Sequence, residues 1–359
     1  MEGLLGMNTV HLPLVYEGSN MFTTTCRPVY PIRLSIEETM IPASTATMIC
    51  TRDELYKRSQ VFELFTANGS AGRFRIRSID IDEVGDTVTY QLEHMIAEVG
   101  NWVLINDISG NKVQRTALRQ LWRGVDSSSA DDNNYRGSVW QLGSVTVLSD
   151  TTTVELDAKN GDNLLNAING LLQNCPGIYM TFAYSTDPWT INFADYTNES
   201  SAYGLLDRNV SSARVFYDFT DLATRVRYKY SNTWRSQTAG SSYTNAYGVV
   251  EHAISTDEAT SLASANYMAQ QYLIQHREPR ITIEIDGYDL SSITGVPEDK
   301  FTIGKQFHLY VPELGSDFKR SITRLRWDDV FGDPLRVHVT LGDDDPTLWA
   351  FLTDIIHKK

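Results

Sequence analysis

The chain has 359 residues, 42% of them apolar and 21% charged, with a formal net charge of −14. This is the balance of a folded chain long enough for two or three domains, not of a disordered one. The acidic excess repels phosphate, which excludes sequence-independent nucleic-acid binding but suits a conduit wall that must not grip DNA.

Aromatic residues reach 11%, with 18 Tyr, and together with frequent Ser and Thr they favour β structure. The three cysteines Cys26, Cys50 and Cys175 are far apart and form no CxxC or Cys/His spacing. They predict reduced thiols rather than a disulfide framework or a zinc site, in keeping with assembly in a reducing cytoplasm. No stretch approaches 18 consecutive apolar residues, and Met1–Met7 lacks the basic and apolar regions of a signal peptide. The sequons at Asn68, Asn198 and Asn209 are then chance matches.

In chain order, residues 1–95 read as strands: Thr9–Tyr16, then Val29–Leu34, then a block from Gln60 to Leu92. The block consists of Val61–Phe65, a Gly69-Ser70 turn, Phe74–Ile79, an Asp82–Asp86 turn and Val88–Leu92. Short strands divided by such turns favour a barrel or sandwich. Val113–Trp122 reads as a short helix with Ala117, Leu118, Leu121 and Trp122 on one face, and Asp126–Asn134 as an exposed loop. Ser138–Leu148 and Thr152–Asp157 read as strands. A helix capped by Asp162 or Asn163 follows, with Leu164, Leu165, Ile168, Leu171, Leu172 and Cys175 as its apolar face. Pro176-Gly177 stops it, and the hairpin Ile178–Tyr184 and Trp189–Phe193 comes next.

Residues 207–231 hold strands ending in the alternating run Ala223–Tyr230, and 232–247 read as a loop. A helix is predicted over Thr256–His276, with Ser255 and Glu258 as a capping box and Pro279 beyond its end. Strand Ile281–Ile285 leads to a second block, Gln306–Leu341, about 245 residues after the first. It repeats the order: Phe307–Val311, Gly315-Ser316, Phe318–Ile322, an Asp328–Asp333 turn and Val337–Leu341. The repetition suggests two related β-domains, although any two meanders with Gly-Asp turns share this pattern. A last helix is predicted from Asp344-Asp345-Pro346.

No catalytic, cofactor-binding or metal-binding residue emerges. The seven His residues form no HExxH, and Gly-x-Ser-x-Gly, Gly-x-Gly-x-x-Gly and P-loop patterns are absent. His308 and His338 lie on strands of the second block and read as wall histidines rather than a metal pair. Asp343-Asp344-Asp345 reads as an acidic helix start. Trp122, Tyr135, Trp140, Trp189, Tyr196 and Tyr203 read as core and interface rather than a sugar-binding surface.

The order of these elements resembles the tail-tip hub proteins of tailed bacteriophages, the family that includes the "prophage tail endopeptidase" regions of tail-associated lysins. Ile281–Leu290, Phe301–Lys305 and Val337–Gly342 resemble its C-terminal barrel. Phe74–Asp107, with Glu93-His94-Met95 and Asn101–Leu104, resembles its N-terminal barrel. The middle domain is matched at 162–195 by the Leu-rich helix and by Gly177, Tyr179, Trp189 and Ile191.

The resemblance implies a predominantly β, α+β fold of two similar antiparallel barrels with inserted α+β domains. It places a first barrel at 1–104 and an insertion at 105–206. A discontinuous second barrel takes 207–231 plus 280–343, a small helical insertion 232–279, and a C-terminal helix 344–359. It implies a homotrimer in the virion tail tip that closes the tail tube and opens for DNA ejection. Partners would be a hexameric distal tail or tail tube protein, the tape measure protein, and spike, fibre or receptor-binding proteins, with DNA crossing the lumen unbound. The family's lytic activity sits in a C-terminal extension, and here the sequence stops at Lys359, so no enzyme and no cofactor is expected. A peptidoglycan hydrolase and a glycan-binding module are the rival readings.

Overall fold

Alternating burial builds the N-terminal strands. The computed structural model describes residues 11–16, 25–39, 44–53, 55–124, 140–151, 153–173, 175, 178–186, 188–195, 202–204, 209–256, 261–311 and 316–342. Leu14–Tyr16 (β1) and Cys26–Pro28 (β2) are short. Arg33–Thr39 (β3) and Thr45–Thr51 (β4) follow, then Val61–Thr66 (β5), Gly69–Asp82 (β6) and Thr87–His94 (β7). Leu34 and Ile36 on β3, Ala46, Met48 and Cys50 on β4, and Val88, Tyr90 and Leu92 on β7 are all buried. That period of two turns one face of each strand inward. Val29–Leu34 was expected as a strand, but Val29 lies before β3, which begins only at Arg33. Pro31 removes a ladder donor there.

A 3₁₀ segment, Met95–Asn101, leads into Ile108–Val113 (β8) and the helix Gln114–Arg123 (α1). Trp140–Leu142 (β9), Thr153–Ala158 (β10) and the helix Leu164–Gln173 (α2) come next. Ile178–Ala183 (β11), Trp189–Asp195 (β12) and Ala202–Gly204 (β13) complete this region. Asn163 accepts from the Asn166 amide at 3.1 Å, the expected cap. Leu118, Leu121, Trp140, Leu164, Ile168 and Trp189 belong to one core. The long expected strand Ser138–Leu148 is only the three residues of β9 among the described residues. Asp126–Asn134 and Pro176-Gly177 lie outside them.

Val210–Asp218 (β14), Arg225–Tyr230 (β15), Thr233–Thr238 (β16), the helix Ser241–Tyr247 (α3) and Glu251–Ile254 (β17) follow. The segment 232–247, expected as a loop, is therefore a strand and a short helix. Backbone pairing of β16 with β15 outweighs its Ser/Thr-rich composition. The helix expected from Thr256 begins at Leu262 and runs to His276 (α4). Thr256 instead donates its hydroxyl to the Lys229 carbonyl at 2.7 Å, and Glu258 lies outside the described residues. Val226, Tyr228, Ala265, Ala269 and Leu273 form a separate core.

Arg280–Tyr288 (β18), the short helix Ser291–Thr294 (α5), Gln306–Val311 (β19), Ser316–Trp327 (β20) and Arg336–Gly342 (β21) close the described chain. The helix expected at 344–359 lies outside it. The chain divides into two compact units, 1–213 with 285–341 and 214–284 with 342–359.

Among the described residues, thirteen strands form one sheet in the order β14-β18-β21-β20-β3-β4-β7-β6-β5-β1-β2, with β19 on β20 and β13 on β19. From β21 through β20, β3, β4, β7, β6, β5 and β1 to β2 every pair is antiparallel, as is β19 on β20, while β13 meets β19 in parallel. The protein is thus predominantly β with inserted α+β elements. The two blocks were expected as two separate barrels. Instead they share this open sheet. The cause is the length of β20: its outer half overhangs β19 and is taken up by β3 of the first block.

Candidate assembly surface

The two blocks match in detail that alternation alone does not require. β5, β6 and β7 pair in the same order as β19, β20 and β21. A bulge breaks the β6–β7 register between Ile76 and Ser78, and another breaks β20–β21 between Ile322 and Arg324. Bulges are specific features, so the shared one argues for duplication rather than coincidence. The following turns also agree. Asp82 Oδ1 accepts from the amides of Val84 and Gly85 at 3.0 and 2.9 Å. Asp329 Oδ1 accepts from Phe331 and Gly332 at 3.2 and 3.0 Å. A Cβ on either glycine would meet that aspartate at 2.4 or 2.5 Å. Outward from the turns, β4 flanks β7 as β18 flanks β21, and β3 flanks β4 as β14 flanks β18. The repeat therefore has five strands.

The blocks differ in a second bulge, which breaks the β5–β6 register between Leu64 and Phe65 and which the β19–β20 pair lacks, and in the cover of one edge. Arg324 to Trp327 on β20 pair with Thr39 to Ile36 on β3, and the inward side chains Leu325 and Trp327 are 1% and 0% exposed. The bulge match makes Ile79 and Ile81 their counterparts on β6. They lie opposite the buried Tyr90 and Val88, yet are 44% and 47% exposed. Glu38 lies beside Leu325 in the covered seam. Burial pushes its carboxyl up to about 7, against the pull of Lys300.

Side chains from the inserted region lock onto the first block. The Arg73 guanidinium stands 4.3 Å from the Tyr16 ring, 4.9 Å from Trp189 and 5.3 Å from Tyr184, with Glu63 at 3.8 Å. Stacking on three rings holds a charge that burial would otherwise disfavour. His94 Nδ1 accepts from the Ile96 amide at 3.2 Å, so its Nε2–H donates to the Tyr184 hydroxyl at 2.6 Å. Burial pushes the imidazole down to about 3 and keeps it neutral. Gly72 makes room for it: at φ +112°, an added Cβ would lie 2.8 Å from His94 Nε2. On the second block, the Tyr179 hydroxyl donates to the Gly304 carbonyl, and Asn68 Nδ2 donates to the Phe301 carbonyl at 3.2 Å.

Of the residues weighed from sequence, Trp122, Trp140 and Trp189 are buried, which removes them from any sugar-binding surface. Tyr135, Tyr196 and the Asp343–Asp345 cluster lie outside the described residues, and of Tyr203 only the backbone is described. His308 and His338 are not neighbours. β20 lies between their strands, with His308 opposite Lys319 and His338 opposite Arg326. His338 instead bridges Asp286 and Asp328, its Nε2 2.9 Å from Asp328 Oδ2. Burial opposes the charge on Asp328, but Arg326 and His338 hold its carboxyl below the usual range. Among the described residues no group of three or more His, Cys, Asp and Glu could hold a metal ion. The seam and the free edge carried no sequence signal beyond the repeat itself, because pairing partners are not written in one strand.

Comparisons with known proteins agree with this architecture. The profile of the family described as prophage endopeptidase tail matches residues 202–349. No curated protein matches the sequence. Among solved structures, the prophage tail protein gp18 from Listeria monocytogenes aligns with a TM-score of 0.63 at 12% identity, covering 96% of this chain and 98% of its own. The tail protein from Neisseria meningitidis aligns at 0.59 and 13%, covering 93% and 96%. The 43 kDa tail protein of prophage MuSo2 from Shewanella oneidensis aligns at 0.59 and 12%, covering 93% and 98%. The chain therefore carries the prophage endopeptidase tail family match over residues 202–349 and, along nearly its whole length, the fold of prophage tail proteins.

Proposed function

We propose that this chain is a structural virion protein, the hub of a phage tail tip or baseplate. Three copies form a ring that closes the distal end of the tail tube and opens for DNA ejection. The five-strand repeat carries this reading. One chain presents two equivalent blocks, so a threefold ring presents six, the count needed to dock on a hexameric distal tail or tail tube protein. In this reading 1–104 and 207–231 with 280–343 are the two tube-forming regions, whose sheet closes only in the ring. Segments 105–206 and 232–279 are insertions facing neighbours such as spike, fibre or receptor-binding proteins. The tape measure protein and DNA cross a lumen that the net charge of −14 keeps from gripping phosphate.

Light scattering on the purified full chain, with electron microscopy of the same sample, tests the ring. Trimers whose averages show six similar lobes are expected; a monomer under both methods removes the reading.

A further inference from the structure

We propose that the free edge of β6 at Ser78–Asp82 pairs with β14 of a second copy of this chain, and that this pairing closes the ring; the proposal rests on the hub reading above. The internal repeat supplies the argument. Strand by strand, β3 corresponds to β14, β4 to β18, and β5, β6 and β7 to β19, β20 and β21. Within one chain the second block has its overhang covered, because β3 lies along Arg324–Trp327. The first block has the same overhang. Among the described residues, Ser78–Asp82 pair only with β7, since β5 reaches no further than Arg75.

The strand that would cover that overhang is the counterpart of β3, namely β14. It ends the sheet order, with one edge unpaired among the described residues. Among the described residues each chain thus offers one bare overhang and one bare covering strand, and the seam already made inside the chain can recur between chains. A contact of this head-to-tail kind propagates around a ring when its rotation closes.

Side chains support the match. Ile79 and Ile81, 44% and 47% exposed on the inward face, and the unpaired backbone beside them are apolar and polar surface that a partner strand would cover. In the internal seam the outer face is tied by Arg324 on β20 and Glu37 on β3, 3.6 Å apart. Across copies the signs are exchanged, with Asp80 and Asp82 on β6 and Arg214 on β14. Chemistry selects the register. Pairing Asp82 with Arg214 brings Ile81 opposite Val215 and Ile79 opposite Tyr217, which is 50% exposed in the single chain.

The test is a disulfide trap in the full chain carrying Cys26→Ser, which removes the exposed native thiol. Ile79→Cys with Tyr217→Cys, under mild oxidation, is expected to give covalent species that stop at the trimer. Either cysteine alone is expected to give none. Ile79→Lys with Ile81→Lys should weaken association by roughly tenfold or more, with unchanged circular dichroism. Val84→Lys, on a turn residue 98% exposed, should leave association as it was. A trimer by light scattering that forms no bond in this pair, nor in the adjacent Ile79→Cys with Phe216→Cys, overturns the edge pairing and leaves the hub reading standing. A monomer overturns both.

Discussion

Leu325 and Ile79 occupy equivalent positions of the repeat, one covered and one bare, so truncating each to Ala isolates the worth of the missing strand. Leu325 is 1% exposed and is sealed by β3. Its loss combines the transfer term with an unfilled cavity, about 3 kcal/mol. Ile79 is 44% exposed, so roughly half of a full burial of about 2 kcal/mol is at stake. Solvent fills the gap, and the expected cost is about 1 kcal/mol. Urea unfolding followed by circular dichroism, at dilutions where the chain is monomeric, should show this difference of about 2 kcal/mol. At concentrations where copies associate, the Ile79→Ala cost should rise towards that of Leu325→Ala, because association adds to apparent stability. Equal costs in dilute solution would mean that the two sites are equally covered within a single chain, and that β6 has no bare overhang.

Three further outcomes follow from the described groups. His94 is held neutral with its pKa pushed down to about 3. Its contribution is therefore complete above the unfolded value of about 6.5 and is lost as pH falls from there towards 3. His94→Gln should flatten the acid limb of a profile of unfolding free energy against pH by about 4 kcal/mol at its foot, and an unchanged limb would exclude His94 as its source. Glu38, pushed up to about 7, acts in the opposite sense: its contribution is complete below about 4.5 and is lost as pH rises through 7. Glu38→Gln should stabilise the chain by about 3 kcal/mol at pH 8 and leave it nearly unchanged at pH 4.5, and the reverse order would contradict the assignment. In zymograms the purified chain should leave peptidoglycan intact; a cleared band would make it a hydrolase.

Strand existence was legible where burial alternates along one segment, as in β7 and β21, because side-chain period reports the buried face directly. The helix faces of α1 and α2 were legible for the same reason, at a period of 3.6. The β16 and α3 elements were not, since Thr233–Thr238 is largely exposed and owes its conformation to pairing with β15. Nor was the joining of both blocks through β3 and β20, a pairing between residues nearly the whole chain apart. The repeat could be read from turn chemistry, Asp82-Glu83-Val84-Gly85 and Asp329-Val330-Phe331-Gly332. The uncovered edge at Ile79 and Ile81 could not, because exposure is a property of neighbours.

In the proposed assembly three copies make one ring through equivalent sheet edges. A reconstruction of the assembled full chain by electron microscopy tests it most directly. Three chains arranged as six similar five-strand blocks are expected, with Ser78–Asp82 of each chain beside Arg214–Tyr217 of the next. A ring of a different count, or one in which those two strands face solvent, would contradict it.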